Sequence, residues 1–247
     1  MTTTTYSKGG SMETRFVRFG AVCSVLLAVT TFLLWLLPRY VPEAVTFEAR
    51  LALASNPYYL GRLWVNFTHM FLGFAAYLAV YAILREKARG FATLGLGFYF
   101  IWVLVELLAL SINLFAVNAA WRGGYAAANP EQQAMFKLFL AWWPGVWDGL
   151  YFLLALAYLL GSLVFGGLAV MERGFTRAIG VLLLLGSVIS AAFLIGEYGG
   201  PVWPEEIAGA VYPVVQPLAR AITGWWLWRM ATMFNEKRLP THRQEAA

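Results

Sequence analysis

The sequence predicts an all-α protein, a polytopic membrane helix bundle of six transmembrane helices with both termini cytoplasmic. Three observations predict it. The 247 residues are 60% hydrophobic and only 13% charged, whereas a soluble domain carries roughly 25% charged residues to cover its surface. Apolar runs recur along almost the whole chain, each near the roughly 20 residues that carry a helix across about 30 Å of hydrocarbon. Lysine and arginine gather in the short segments between these runs.

Residues 1–14 are polar and rich in Thr, Gly and Ser, which predicts a disordered N-terminal tail. Helix 1 follows over about Phe16–Leu37, with Arg15 and Arg18 at its start. A basic start and an apolar run also describe a signal peptide, but the run is long and no small-x-small cleavage site follows, so it reads as a retained span. Pro38 and Pro42 mark the exit, and Phe47, Leu51 and Ala54 recur at helical spacing. A short amphipathic segment is therefore expected over about 42–56, lying in the interface or against loops. Helix 2 spans about Tyr58–Leu84 and stops at the charged run Arg85–Arg89; helix 3 spans about Phe91–Val117. A polar loop is expected over 118–136. Helix 4 covers about Phe139–Met171, too long for one straight span, and Pro144–Gly145 predicts a break or kink near its outer end. Helix 5 runs about Ala178–Tyr198 and ends at Gly199-Gly200-Pro201. A loop with Glu205 and Glu206 precedes helix 6, about Val211–Phe234; the spanning domain thus covers 15–234, and 235–247 form a basic tail.

Alternate loops assign twelve Lys and Arg to one side (Lys8, Arg15, Arg18, Arg85, Lys87, Arg89, Arg173, Arg177, Arg229, Lys237, Arg238, Arg243) and five to the other (Arg39, Arg50, Arg62, Arg122, Lys137). The positive-inside rule then places both ends in the cytoplasm of a cell inner (plasma) membrane. Trp35, Trp64, Trp121, Trp142, Trp143 and Trp203 gather toward the outer boundary, and Trp225, Trp226 and Trp228 toward the inner one, as interfacial belts do. The net charge of +5 is explained by this loop pattern, so nucleic acid is rejected as a partner. Expected partners are the lipid bilayer, other membrane subunits or an apolar ligand. Cys23 is the sole cysteine, which excludes an intrachain disulfide and a thiolate metal cluster. No cofactor is named by any motif: HExxH, a nucleophile elbow and a phosphate loop are all lacking.

Ionisable groups in hydrocarbon cost at least about 2.5 kcal/mol each at mid-span, so they mark candidate sites. Arg62, Asn66 and His69 fall at i, i+4 and i+7 on one face of helix 2. Glu106 and Asn113 share a face of helix 3; Asp148 and Tyr151 lie below the expected break in helix 4; Gln216 and Arg220 share a face of helix 6. All sit in the outer half or near the middle, so they are candidates to line one polar cavity open to the outside. Charges there nearly offset, Arg62 and Arg220 against Glu106, Asp148 and Glu197. Equally, pairs such as Glu106 with Arg220 serve as polar glue between helices. His69 alone reads more readily as a packing histidine than as a ligand; His69, Glu106 and Asp148 are a weak candidate for a metal site. Gly145-x-x-x-Gly149 and Gly196-x-x-x-Gly200 match the small-xxx-small pattern of close helix contacts.

The layout resembles an uncharacterised bacterial multi-pass family, a domain of unknown function. The likeness rests on an N-terminal helix, a long external loop, a helix pair with a glutamate in its second member (Phe100-Ile101-Trp102-Val103-Leu104-Val105-Glu106), and an aromatic-Asp step (Trp147-Asp148-Gly149). It covers about residues 15–232. Where that family carries an arginine one turn before the glutamate, this chain has Trp102 and Val103. The resemblance implies six helices and supplies no activity. Three functions follow from the residues: binding or transport of a small molecule or lipid through the outward cavity, a non-catalytic accessory subunit of a larger membrane complex, or an intramembrane enzyme using His69, Glu106 or Asp148. Convergence of the polar side chains on one reachable cavity favours the first or third; separate helix pairs with a bare aromatic face favour the second.

Overall fold

A computed structural model of the chain describes residues 8–200 and 211–236. The stretch 1–7, the loop with Trp203, Glu205 and Glu206, and the tail from 237 onward lie outside the described residues. Among the described residues the regular structure is helical throughout, with no strand. Four segments are long and apolar enough to cross a membrane: Glu13–Tyr40, Pro57–Ala127, Pro130–Val170 and Phe175–Glu197. Their outer surfaces are apolar too. Phe19, Val22, Leu26 and Val29 on the first and Leu104, Leu108 and Phe115 on the second are 47% to 60% exposed, which suits a lipid solvent.

Helix α1 spans Lys8–Leu36 and so begins inside the stretch expected to be a disordered tail. Its first turns are held by packing rather than propensity: Thr14 is buried, and Glu13 pairs with Arg85 at 2.8 Å. The short helix α2, Phe47–Ala52, falls in the expected amphipathic segment, its N-terminus capped by the Thr46 hydroxyl, which accepts the Ala49 N–H at 3.1 Å. Phe47 packs on Tyr125 with ring centroids 5.2 Å apart, so α2 rests against a loop of this chain.

Helix α3, Pro57–Ser111, is two antiparallel limbs. Ala88 has φ −145° and ψ 74°, outside the helical region, and the chain folds back there. The hairpin shows in its side-chain pairs, Tyr81 with Thr93, Tyr77 with Tyr99 and Asn66 with Glu106, which step outward symmetrically from the bend. The two limbs correspond to the expected helices 2 and 3. The second passes into a π-helix, Ile112–Arg122, which takes up the end of the expected helix 3 and runs on into the first residues of the expected loop. Much of the rest of that expected loop belongs to helix α4, Pro130–Val170, which starts nine residues early on a capping box: Asn129 accepts the Gln132 N–H, and the Gln132 side chain accepts the Asn129 N–H. The expected break at Pro144 is absent. Pro144 lies inside a helix of 41 residues, about 62 Å long at 1.5 Å per residue. Gly174, at φ +61°, makes the turn into α5, Phe175–Glu197. That helix ends as its glycines predict: Gly199 has φ +99°, and the Gly200 N–H reaches back to the Ile195 carbonyl at 2.7 Å. A π-helical turn, Val211–Val215, leads into α6, Gln216–Glu236.

Helix α1 packs between α6 and the α3 hairpin, α4 packs on α3, and α5 packs on α4; α5 and α6 meet only lightly, leaving a thin seam. The close approaches are not at the expected glycines. A Cβ at Gly145 or Gly149 would meet nothing within 4 Å. At Gly95 it would lie 2.6 Å from the Phe165 ring, and at Gly224 2.9 Å from the Ala21 carbonyl of α1. Below mid-bundle the core is aromatic: Tyr77 stacks on Tyr99 at 3.7 Å, Trp102 and Tyr158 lie edge-on around them, and Phe165 tilts against Tyr99.

Candidate ligand-binding cavity

A cavity of about 500 Å³ opens among the helices, within the roughly 300–1,000 Å³ typical of ligand sites. Its walls come from the C-terminal ends of α1 and α5, the N-terminal ends of α3 and α6, and the middle of α4. That is the bundle end opposite the Arg85–Arg89 bend. Seven of the nine sequence candidates line it. Arg62, Asn66 and His69 arrive on the first limb of α3, as their spacing predicts, and Glu106 faces them from the second limb. Tyr151 enters from α4, and Gln216 and Arg220 from α6.

The hydrogen bonds divide the wall into two parts. On one side, the Asn66 amide donates to the buried Glu106 carboxylate at 2.6 Å. On the other, His69, only 3% exposed, is held at both ring nitrogens. Its Nε2 lies 3.1 Å from Arg220 Nη1, and its Nδ1 lies 2.8 Å from the Thr30 hydroxyl. A guanidinium can only donate, so Nε2 must accept and Nδ1 must carry the proton. Thr30 takes that N–H while its hydroxyl faces the Leu26 and Leu27 carbonyls at 3.1 Å. His69 is thereby fixed as a neutral orienting group, the packing role foreseen for it, yet on the wall of the cavity. Arg220 Nη1 also donates to Thr31, and the Arg220 carbonyl accepts from Ser24 at 2.7 Å.

Two candidates fall elsewhere. Asn113 belongs to a closed network in the π-helix. Tyr59 donates to its side-chain oxygen at 3.2 Å, Asn118 donates to the same oxygen at 2.8 Å, and Arg122 donates to Asn118 at 2.8 Å and to Tyr59 at 3.1 Å. Asn113 keeps to the Glu106 face, meeting Tyr59 on the first α3 limb just as Glu106 meets Asn66 seven residues on, but it lies two turns farther along the helix and does not line the cavity. Asp148 is exposed, and its carbonyl accepts the Tyr198 hydroxyl at 2.7 Å; α4 continues unbroken through Pro144, and Asp148 does not line the cavity. Glu197 is exposed as well. The expected Glu106–Arg220 pair is not formed, Glu106 bonding Asn66 and Arg220 bonding His69, and among the described residues two arginines share the cavity with one carboxylate, where a near balance was expected. The weak metal candidate His69, Glu106 and Asp148 is not assembled, and among the described residues no three His, Cys, Asp or Glu side chains group to hold a metal.

Sequence reasoning missed Thr30, Thr31, Tyr158 and Ser190. Thr30 and Thr31 were legible as a polar pair within an apolar run, but threonines in helices commonly bond their own carbonyls and carry little signal alone. In comparisons with known proteins, no family model matches the chain, and no curated protein or solved structure is similar to it.

Proposed function

We propose that the chain is a multi-pass protein of the cell inner membrane that binds, and in doing so carries or senses, a small molecule or lipid in the cavity around Arg62, Glu106 and Arg220. The α3 hairpin contributes two passes and α6 a sixth, with both termini cytoplasmic and the cavity toward the outer face. One observation carries this reading: polar side chains from three helices that are far apart in sequence meet on one space of ligand size. Its chemistry is that of recognition. Arginine and asparagine offer donors, and His69 is locked in one tautomer between Arg220 and Thr30.

The test is purification in mild detergent followed by native mass spectrometry, comparing wild type with Ala155→Trp. Ala155 lines the cavity, and an indole there fills much of it. A molecule that accompanies the wild type and is lost from the folded variant supports the reading; identical spectra for both overturn it. The accessory-subunit reading keeps one observation of its own. Met135, Leu138, Trp142 and Val146 form an exposed apolar stripe on the first half of α4, with Trp142 70% exposed. A stoichiometric second protein in the same spectra would favour it.

A further inference from the structure

A second, smaller cavity of about 180 Å³ lies against the first. The two share five lining residues, Tyr158, Ile189, Ser190, Gln216 and Arg220, so they adjoin, with Arg220 on the wall of both. The second part is displaced toward the Arg85 end on every helix: Ser24 and Leu27 replace Leu34 and Pro38 on α1, Val80 replaces Arg62 on α3, and Leu182 replaces Leu194 on α5. It is also less polar, with Leu, Ile, Val and Ala at nine of its seventeen lining positions. From Ser24 to Pro38 along α1 is about 21 Å, and from Arg62 to Val80 along α3 about 27 Å, at 1.5 Å per residue. One leaflet of hydrocarbon is about 15 Å deep. The combined space therefore has the length of one lipid chain plus its headgroup.

Two features add a chemistry and a way in. Arg220 and Arg62 have no carboxylate within ion-pair distance among the described residues, and Glu106 is engaged by Asn66, so the polar part holds surplus positive charge. The apolar part lies along the loosely packed α5–α6 seam, where Leu185 (53% exposed) and Val215 (43% exposed) both line the cavity and face outward. A chain in the bilayer can slide between them without leaving hydrocarbon.

We propose that the site takes a long-chain amphiphile with a single anionic head, carboxylate or phosphate, whose head is held by Arg220 with Arg62 and whose alkyl chain lies in the apolar part, entering through the α5–α6 seam. This rests on the cavity-binding reading above and specifies its ligand. Two positions separate the parts. Arg220→Gln removes the charge. Gly186→Leu fills the apolar part, and a Cβ at Gly186 meets nothing within 4 Å, so the bundle tolerates it.

The experiment uses the full chain in phosphatidylcholine nanodiscs. Binding of hexadecanoate, palmitoyl lysophosphatidate, hexadecanol and butyrate is measured, and chain position is read by quenching of tryptophan fluorescence with dibromostearate, since Trp35, Trp102 and Trp147 line the polar part. At least one of the two long-chain anions should bind tenfold or more tightly than hexadecanol and butyrate, and which one does identifies the head. Arg220→Gln should abolish the preference over hexadecanol, and Gly186→Leu should weaken long-chain binding at least tenfold. Equal binding of hexadecanol overturns the anionic head. Butyrate binding as well as the long chains, with Gly186→Leu silent, overturns the tail site. Either result leaves cavity binding standing if Ala155→Trp still blocks it. Binding of none of the four overturns the proposal, while a co-purifying molecule of other chemistry would keep the broader reading.

Discussion

Replacing Asn66 with leucine, similar in size, separates a polar pair that holds structure from one that is incidental. The Asn66 amide is 2.6 Å from Glu106 Oε1, and Glu106 is 6% exposed, so water cannot fully replace the lost donor. Hydrogen bonds to charged groups contribute about 1.5–3 kcal/mol, and a buried acceptor left unmet carries the desolvation cost in full. Asn66→Leu should therefore destabilise the bundle by about 1.5–3 kcal/mol, roughly 10- to 150-fold in the folding constant. Glu106→Leu removes the acceptor, and the double variant removes both, which restores a dry apolar contact between the two α3 limbs. Interhelical polar pairs in membrane bundles couple by about 0.6 kcal/mol on average and up to about 1.7; a short bond at a buried carboxylate belongs near the top of that range. Reversible unfolding in mixed detergent micelles, followed by tryptophan fluorescence, measures all four corners of the cycle. Additive losses, with the double variant as weak as the sum of the singles, would refute the pairing and with it the polar wall built on Glu106.

Gly95→Ala should destabilise by about 1–3 kcal/mol, because its Cβ would sit 2.6 Å from the Phe165 ring. Gly149→Ala, facing open space, should be neutral or stabilising by up to about 1 kcal/mol; a thermal melt in detergent ranks the two, and the reverse order contradicts the packing. Tyr99 and Ser162 hydroxyls lie 2.8 Å apart, both fully buried. Ser162 has its own helix carbonyls to bond, so Tyr99→Phe should cost about 0.5–1.5 kcal/mol, whereas Ser162→Ala strands the tyrosine hydroxyl and should cost about 1–3; the same melts would show the opposite ranking if the bond were not formed. For topology, Ser55→Cys and Arg173→Cys should label from opposite faces of intact cells or inverted vesicles with an impermeant maleimide. Cys23, 3% exposed, should give no background, and labelling of both sites from one face would rule out the six-pass arrangement.

The long elements were legible in the sequence because lipid-spanning helices announce themselves by length and polarity. Where the reading went astray, local signals were outvoted or overlooked. Pro144 promised a break, yet within a long apolar helix one missing N–H is tolerated. Asn129-Pro130-x-Gln132 was a capping signature inside what read as a loop. On the site, the i, i+4, i+7 spacing of Arg62, Asn66 and His69 held because the first α3 limb is regular. The seven-residue spacing of Glu106 and Asn113 held as well, both meeting the first limb, but two turns of helix separate them, which takes Asn113 beyond the cavity. The second cavity was legible only at Gln216 and Arg220. Most of its other walls are Leu, Ile, Val, Ala and Tyr, residues that elsewhere in the chain fill a core.

Two polar clusters in this bundle show what distinguishes glue from a site. Around the π-helix, Asn113, Asn118, Tyr59 and Arg122 bond one another and enclose no large space; Asn118 gives its amide to two oxygens of Asn113, and Arg122 gives Nη1 to two acceptors. Substituting one member should cost stability and nothing else. Around the cavity, the same kinds of groups border a space of about 500 Å³. Arg220 gives Nη1 to Thr31 and to His69, as Arg122 gives its own to two acceptors, but Arg220 does so on the cavity wall. His69 is turned so that it accepts there rather than adding a competing cation, and among the described residues the carboxylate on that wall, Glu106, is engaged by Asn66. A guanidinium has five N–H donors, and those of Arg220 can be met by an acceptor that arrives in the space from outside. Arg122 is enclosed by its own cluster, and its buried Nε is left without a partner, so an unmet donor there is simply a cost to the fold. Loss of ligand without loss of fold in Arg220→Gln, set against loss of fold in a π-helix variant such as Asn118→Leu, is the contrast that this difference in surroundings demands.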